Sequence, residues 1–383
     1  TQQPLFDEPE TDLLLRRHDS DDCQRKIVKL GKALKDMILG QSEMIDLQLA
    51  TILARGGLIL QGEPGVAKSD SIFRLSKLTG LRPFKFEFNR DTMVQELTGG
   101  VSIRKEKFDG VEKIDFEYLM KGVLACDLFI GNEVQEAGSG VMQALRQVTE
   151  EREWQGRKIP LKSYFYTMNP SQFKNFKSAD VDRAFGVYNV VSNITRENDD
   201  AVEAIMRMAD TGVKEQTIEP VMTRQEIIAS MEWTKKVTLN DVYDELGLII
   251  GSFAKVAKRE VTERFIVQSV KLVKANTFMR GRMSAHISNP TDLDILEHTG
   301  LKYGIEPSKA KGIIEAIVNN DDKELQTLDQ KVIDYIKSKT QEEDEKVAKV
   351  NKSSTEENDK DDKDCGCEVG NEHECGREGI KRV

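Results

Sequence analysis

Between Gly62 and Ser69 the chain reads GEPGVAKS. Residue types at that spacing suit one piece of chemistry, the wrapping of a phosphate group. A phosphate cradle needs converging backbone N–H groups, a lysine that reaches the terminal phosphates and a hydroxyl that can ligate magnesium. Gly62 and Gly65 supply conformational freedom, Lys68 the charge and Ser69 the hydroxyl. Ala67 stands where the usual phosphate-loop pattern has its last glycine, but alanine keeps its N–H and adds only a methyl group. The candidate nucleotide contacts are therefore Gly62, Glu63, Pro64, Gly65, Val66, Ala67, Lys68, Ser69 and Asp70. The plainer reading of the same residues is a strand-to-helix turn with a surface lysine.

A nucleotide-hydrolysing site also needs a second strand that delivers acidic groups to the metal and to the attacking water. DLFIGNEVQEA has that form: Glu133 is the group to polarise water, and Ser69, Asn132 and Glu133 are the candidate metal residues. Asn132 occupies the position where an aspartate is expected. An amide accepts a hydrogen bond without bringing negative charge, so weaker magnesium binding and slower hydrolysis follow, while nucleotide binding through Lys68 survives. Alternatively, Asn132 and Glu133 only cap the next helix. A third run, SYFYTMNP, ends at Asn169, a polar group at the edge where ligands of open α/β sheets gather.

These residues need elements to hold them. GLILQG is an apolar burst ending in glycine, and SDSIFRLSKLTG returns to helical spacing and closes on Gly80. Upstream, residues 21–55 carry apolar residues three and four apart with a break at Gly40, which predicts two helices around a Gly-Gln turn. PFKFEFN alternates as a strand, GVLACDLFIGNE is an unbroken apolar run, and Gln155-Gly156 predicts a hairpin turn. Strand and helix alternate, so the expected class is α/β, a parallel sheet flanked by helices. Expected boundaries are a flexible lead over 1–24, an α/β domain over 25–197, a helical lid over 198–337 and a disordered charged tail over 338–383.

Of the 383 residues, 38% are hydrophobic and 32% charged, enough for two domains with ordinary cores. The net charge of -10 disfavours sequence-independent attraction to nucleic acid. No apolar run reaches the roughly eighteen residues of a membrane span, and the first residues are polar and acidic, so a cytoplasmic location is expected. Cys23 and Cys126 stand alone, which implies no disulfide framework.

The order of segments, ILGQSEMIDLQLATILARGGLILQGEPGVAKS, LTGG, FEYLMKGVLACDLFIGNEVQEAGSGVMQALRQVTEERE, YFYTMNP, VDRAF, TERF and MRGR, resembles the MoxR branch of the AAA+ ATPases over about residues 25 to 300. That branch characteristically has alanine before the loop lysine. The resemblance implies an AAA+ core with an all-α lid, ATP and Mg2+ as ligands, and Gly40 and Gln41 beside the adenine. It implies Glu133 as the catalytic glutamate and Asn169 as the first sensor. Arg183 becomes the finger offered to a neighbouring subunit, and Arg264 the second sensor of the lid. It further implies a homo-oligomeric, hexameric ring acting on a client protein, with a von Willebrand A domain protein as one such partner. Two departures, Asn132 for aspartate and Glu136 for an arginine, imply either slow turnover or nucleotide binding that serves chiefly for assembly. A motor acting on nucleic acid is the third alternative.

Other features are ambiguous. The segments REWQGRKIPL and GGVSIRKEKFDGVEKIDFEYLMKG resemble pore-facing insertions and equally suit plain surface hairpins, with Trp154 and Phe108 available to a partner or to cross-strand packing. Cys365, Cys367, His373 and Cys375 suffice by count for a zinc site but match no standard spacing. His286 and His298 are expected to be ordinary lid surface residues.

Overall fold

In chain order the strands are β1 (Gly57–Gly62), β2 (Pro83–Glu87), β3 (Val101–Phe108), β4 (Val111–Tyr118), β5 (Leu128–Asn132), β6 (Glu153–Trp154), β7 (Arg157–Lys158), β8 (Ser163–Met168) and β9 (Gly186–Val190). The helices are α1 (Thr11–Arg17), α2 (Ser20–Met37), α3 (Ser42–Leu53), α4 (Lys68–Thr79), α5 (Val94–Thr98), α6 (Ser139–Arg146), α7 (Ser178–Arg183), α8 (Arg224–Lys235), α9 (Tyr243–Ala257), α10 (Glu263–Met279) and α11 (Pro307–Asn319), with a 3-10 segment at Asp292–Tyr303. The computed structural model describes residues 11–108, 111–176, 178–191, 203, 206, 219–288, 291–319, 330, 332–335, 337 and 338.

The main sheet has the order β2-β5-β8-β1-β9, and every pair in it is parallel. Parallel pairing requires crossovers, which the helices supply, and it sends every strand's carboxyl end to the same edge. β8 is buried along its whole length and β1 nearly so, as strands covered on both faces must be. The α/β architecture read from strand and helix alternation is the one observed. GVLACDLFIGNE is shorter as a strand than its apolar run suggested: Gly122–Leu124 is a 3-10 turn and only Leu128–Asn132 pairs. Strand β9 was not legible as a strand, yet it forms the edge beside β1.

Both hairpins are present. β6 and β7 pair across Gln155 and Gly156, at φ 49° and 76°, the left-handed pair that a two-residue turn requires. Trp154 packs, partly buried, against the core beneath the sheet. β3 and β4 pair from Val101↔Tyr118 to Phe108↔Val111; the Phe108 side chain lies outside the described residues.

The lead over 1–24 is not loose in its second half. Leu14 and Leu15 of α1 are buried, and the Trp233 indole N–H of α8 donates to the His18 carbonyl at 2.8 Å. Asp19 caps α2 by accepting from the Asp22 N–H at 2.8 Å. Burial of two leucines contributes about 3 kcal/mol or more toward the entropy cost of ordering this short helix. The described residues up to 332 belong to one compact unit, and those from 333 to 338 fall outside it; the tail from 339, with Cys365, Cys367, His373 and Cys375, lies outside the described residues. Cys23 and Cys126 are free and buried.

One ion triad fastens the helical part of the first unit to the sheet. Asp127, fully buried at the start of β5, accepts forked hydrogen bonds from Arg82 (2.8 and 3.1 Å) and Arg224 (2.9 and 2.7 Å). Burial raises the Asp127 carboxyl, but the bonds and charges of Arg224 and Arg82 outweigh it and bring its pKa down to about 2. A carboxyl lowered in the fold adds stability above its unfolded pKa and loses it as pH falls through the folded one. Asp127→Asn should therefore cost about 3 kcal/mol near neutrality. In urea unfolding the gap to wild type should narrow as pH falls from 4 toward 2; an undiminished gap would refute the triad's role.

Candidate functional site

The phosphate loop is built as its residues demand. β1 ends at Gly62, where an added Cβ would meet the Val190 carbonyl oxygen at 2.5 Å, so close strand approach forces glycine there. Gly65 has open space around it but φ of 88°, so its reason is conformational. Ala67 caps α4 at φ 60° and ψ 20°, a left-handed position costing an alanine about 1–2 kcal/mol. That geometry is why phosphate loops carry glycine at this point. Glu63, Pro64 and Gly65 are exposed and Val66 half-buried. Asp70 turns away to Arg74 Nε at 2.7 Å, leaving only its backbone at the helix N-terminus. Lys68 Nζ donates to the carbonyls of Gly62 (2.5 Å) and Glu63 (2.9 Å). Burial lowers its pKa, against the pull of Glu133 and Glu63.

The second and third strands meet the loop at the sheet's carboxyl edge. Asn132 Oδ1 accepts from Ser69 Oγ at 2.7 Å and from Thr167 Oγ1 at 2.9 Å. Loop, β5 and β8 are thereby pinned through one amide oxygen. Glu133 follows in the left-handed region at φ 52°, strain of a kind that collects at functional sites. Its Oε2 accepts from Gln135 Nε2 at 2.6 Å and stands 3.5 Å from Asn169 Nδ2. Ser69, Asn132, Glu133 and Asn169 are therefore brought together beside Lys68. Thr167 and Gln135 are participants that sequence spacing did not reveal.

Arg183 and Arg264 stand in a separate cluster. Arg264 donates to Asp182 Oδ2 at 3.0 Å and Glu150 Oε2 at 3.1 Å; Arg183 donates to the Ala179 carbonyl at 2.6 Å, and its Nε lies 3.5 Å from the same Glu150 oxygen. Arg264 thus joins Arg183 rather than the loop: among the described residues, no hydrogen bond or ion pair links either arginine to residues 62–69. The turn that carries Arg183 is held from the helical side. Gln268 Nε2 donates to the Asp182 and Arg183 carbonyls, and Lys302 Nζ to those of Asp182 and Ala184. Burial pushes Lys302 down to about 7, opposed by the Asp182 charge.

Gly40 and Gln41 reach the loop through β9. Gln41 Nε2 donates to the Val191 carbonyl at 2.8 Å, and Val190 pairs with Gly62. A cavity of about 600 Å³ opens there, lined by Gly40, Tyr188, Asn189, Val191 and Leu301 among others. Its far wall contains His298, which is buried rather than on the surface, whereas His286 is exposed. Burial lowers the His298 pKa; burial and the Glu43 charge raise Glu297 to about 7. A second cavity, about 500 Å³, lies behind this wall. No helix among the described residues is long and apolar enough to cross a membrane.

This arrangement can hold a nucleotide: N–H groups and Lys68 for phosphates, Ser69 and Asn132 oxygens for a magnesium ion, and a cavity of base size at Gly40, next to Gln41. Similarity to known proteins points the same way. A protein of Methanocaldococcus jannaschii, uncharacterized, is 28% identical over 284 residues, which cover 72% of this chain and 70% of that one. The chaperone MoxR1 of Mycobacterium tuberculosis is 28% identical over 137 residues, 35% of this chain and 34% of its own. The fold matches that of a candidate ATPase from Cytophaga hutchinsonii with a TM-score of 0.59 at 19% identity, covering 82% of this chain and 99% of that one. The family model for the MoxR domain in the MoxR-vWA-beta-propeller ternary systems matches residues 25–228, more than half of the chain. The chain thus belongs to the MoxR family of AAA+ ATPases.

Proposed function

We propose that the chain binds ATP at residues 62–70, hydrolyses it in a ring of like subunits, and uses the turnover to remodel a client protein. The observation that supports this most is the shared Asn132 oxygen, which joins the loop serine, β5 and β8 beside Glu133. Ser69, with Asn132 and Glu133 near it, would hold a magnesium ion, which when bound would supply charge neutralisation at the phosphates. The chain's own groups do the rest. Lys68 leaves the Gly62 and Glu63 carbonyls for the terminal phosphates, Glu133 takes the proton of the attacking water, and Asn169 orients that carboxylate. Arg183 serves the neighbouring subunit's phosphate, and Arg264 holds the Arg183 turn through Asp182 and Glu150 rather than sensing its own nucleotide. The description of the matched family supports a partner with a von Willebrand A domain, accompanied by a β-propeller protein.

Asn132 favours a second reading, a nucleotide-bound assembly scaffold with residual hydrolysis. Its carbonyl keeps both hydroxyl bonds but brings no charge to the ion. Asn132→Asp preserves both acceptor contacts and adds the charge, so steady-state phosphate release should rise about tenfold, ~1.4 kcal/mol. A native rate indistinguishable from background, restored by Asn132→Asp, would favour the scaffold; an unchanged rate would show that Asn132 does not limit turnover.

A further inference from the structure

A second group of ligand atoms lies outside the phosphate machinery, where α3 begins and the 3-10 segment Asp292–Tyr303 passes it. Glu43, Glu297 and His298 each offer one ligand atom, and these atoms all lie within 4.8 Å of one another. All three residues line both cavities, so the cluster occupies their common wall.

The histidine is the buried member of the set. Its side chain is only 8% exposed, yet among the described residues the ring makes no hydrogen bond to any group outside the cluster. Nε2 stands 3.3 Å from Glu297 Oε1, and the ring packs edge-on against Tyr188 at 5.2 Å. The buried imidazole thus faces the Glu297 carboxylate directly, and Glu43 completes a set of three converging ligand atoms. Tyr188 OH donates to Glu43 Oε2 at 3.3 Å, an outer contact of the kind that orients a ligating carboxylate. Of the cations lining the adjoining cavity, Arg280 bonds Asp294 and Asp292, while the exposed Lys311 stands 3.9 Å from Glu315 and its charge also acts on Glu297.

We propose that Glu43, Glu297 and His298 bind a divalent first-row transition-metal ion, at a site separate from the magnesium position at Ser69. One imidazole nitrogen with two carboxylate oxygens selects the Mn2+ to Zn2+ series over Mg2+ and Ca2+, which prefer oxygen alone. Three protein ligands leave coordination positions open toward the cavities. Glu43 opens α3 and the other two ligands belong to the 3-10 segment, so the ion ties these elements together beside the base cavity.

The test is Mn2+ titrated into the nucleotide-free full chain, with free Mn2+ read by electron paramagnetic resonance. One saturable site per chain is expected, weakened at least tenfold by Glu43→Gln and by His298→Ala and untouched by Ser69→Ala. Because His298 is buried, the exposed and isosteric Glu43→Gln decides the outcome. No saturable site, full affinity in Glu43→Gln, or loss of the site in Ser69→Ala would each overturn the assignment. Failure here leaves ATP binding at Lys68 untouched, since no nucleotide is present in the assay.

Discussion

Arg183→Ala is expected to leave ATP binding unchanged and to reduce turnover in the assembled protein by about three to five orders of magnitude, the usual worth of an arginine finger. The expectation rests on placement. Arg183 sits at the end of α7, its turn fixed by Gln268 and Lys302 and its guanidinium beside Glu150. No hydrogen bond or ion pair among the described residues turns it toward its own loop, which suits the proposed role at a neighbouring subunit's phosphate. Nucleotide binding measured by fluorescence of a labelled ATP analogue and phosphate release measured in parallel separate the two effects. Weakened binding in this variant would place Arg183 at its own nucleotide and remove the shared-site argument.

Lys68→Ala should abolish binding itself. Lys68 is half-buried, and its ammonium rests on the Gly62 and Glu63 carbonyls, weak acceptors compared with a triphosphate. Charge-assisted hydrogen bonds to an anion contribute about 1.5–3 kcal/mol each. Two of them make a loss of two or more orders of magnitude in affinity. Isothermal titration with magnesium-ATP checks it. The fold should not suffer, because Lys68 bonds only two loop carbonyls, and that of Glu63 is exposed. Retained affinity would mean that residues 62–69 are only a turn.

What was legible in the sequence was local. The phosphate loop could be read because its requirements are met within eight residues between a strand and a helix, and Ala67 sits in the left-handed position that the glycine of the common pattern serves. The Gln155-Gly156 turn was readable because two adjacent left-handed residues specify a hairpin. Contacts between distant segments were not readable. Thr167 meets Asn132 across 35 positions of sequence, and Arg264 meets Glu150 across 114; no periodicity encodes either pair. β9 is five residues long, too short for its alternation to stand out, although it positions Gln41 through Val191. His298 was misplaced for a related reason. Its ring packs against Tyr188 of β9, an element far away in sequence.

The central claim is that each ATP site is completed by a neighbouring subunit, and mixing two inactive variants tests it most directly. Lys68→Ala chains retain Arg183 and Arg183→Ala chains retain Lys68, so a mixed assembly contains boundaries with an intact loop on one side and an intact arginine on the other. Co-assembled mixtures, verified by size, should recover ATP hydrolysis in proportion to those boundaries. Mixed assemblies that stay as inactive as either variant alone would contradict the account.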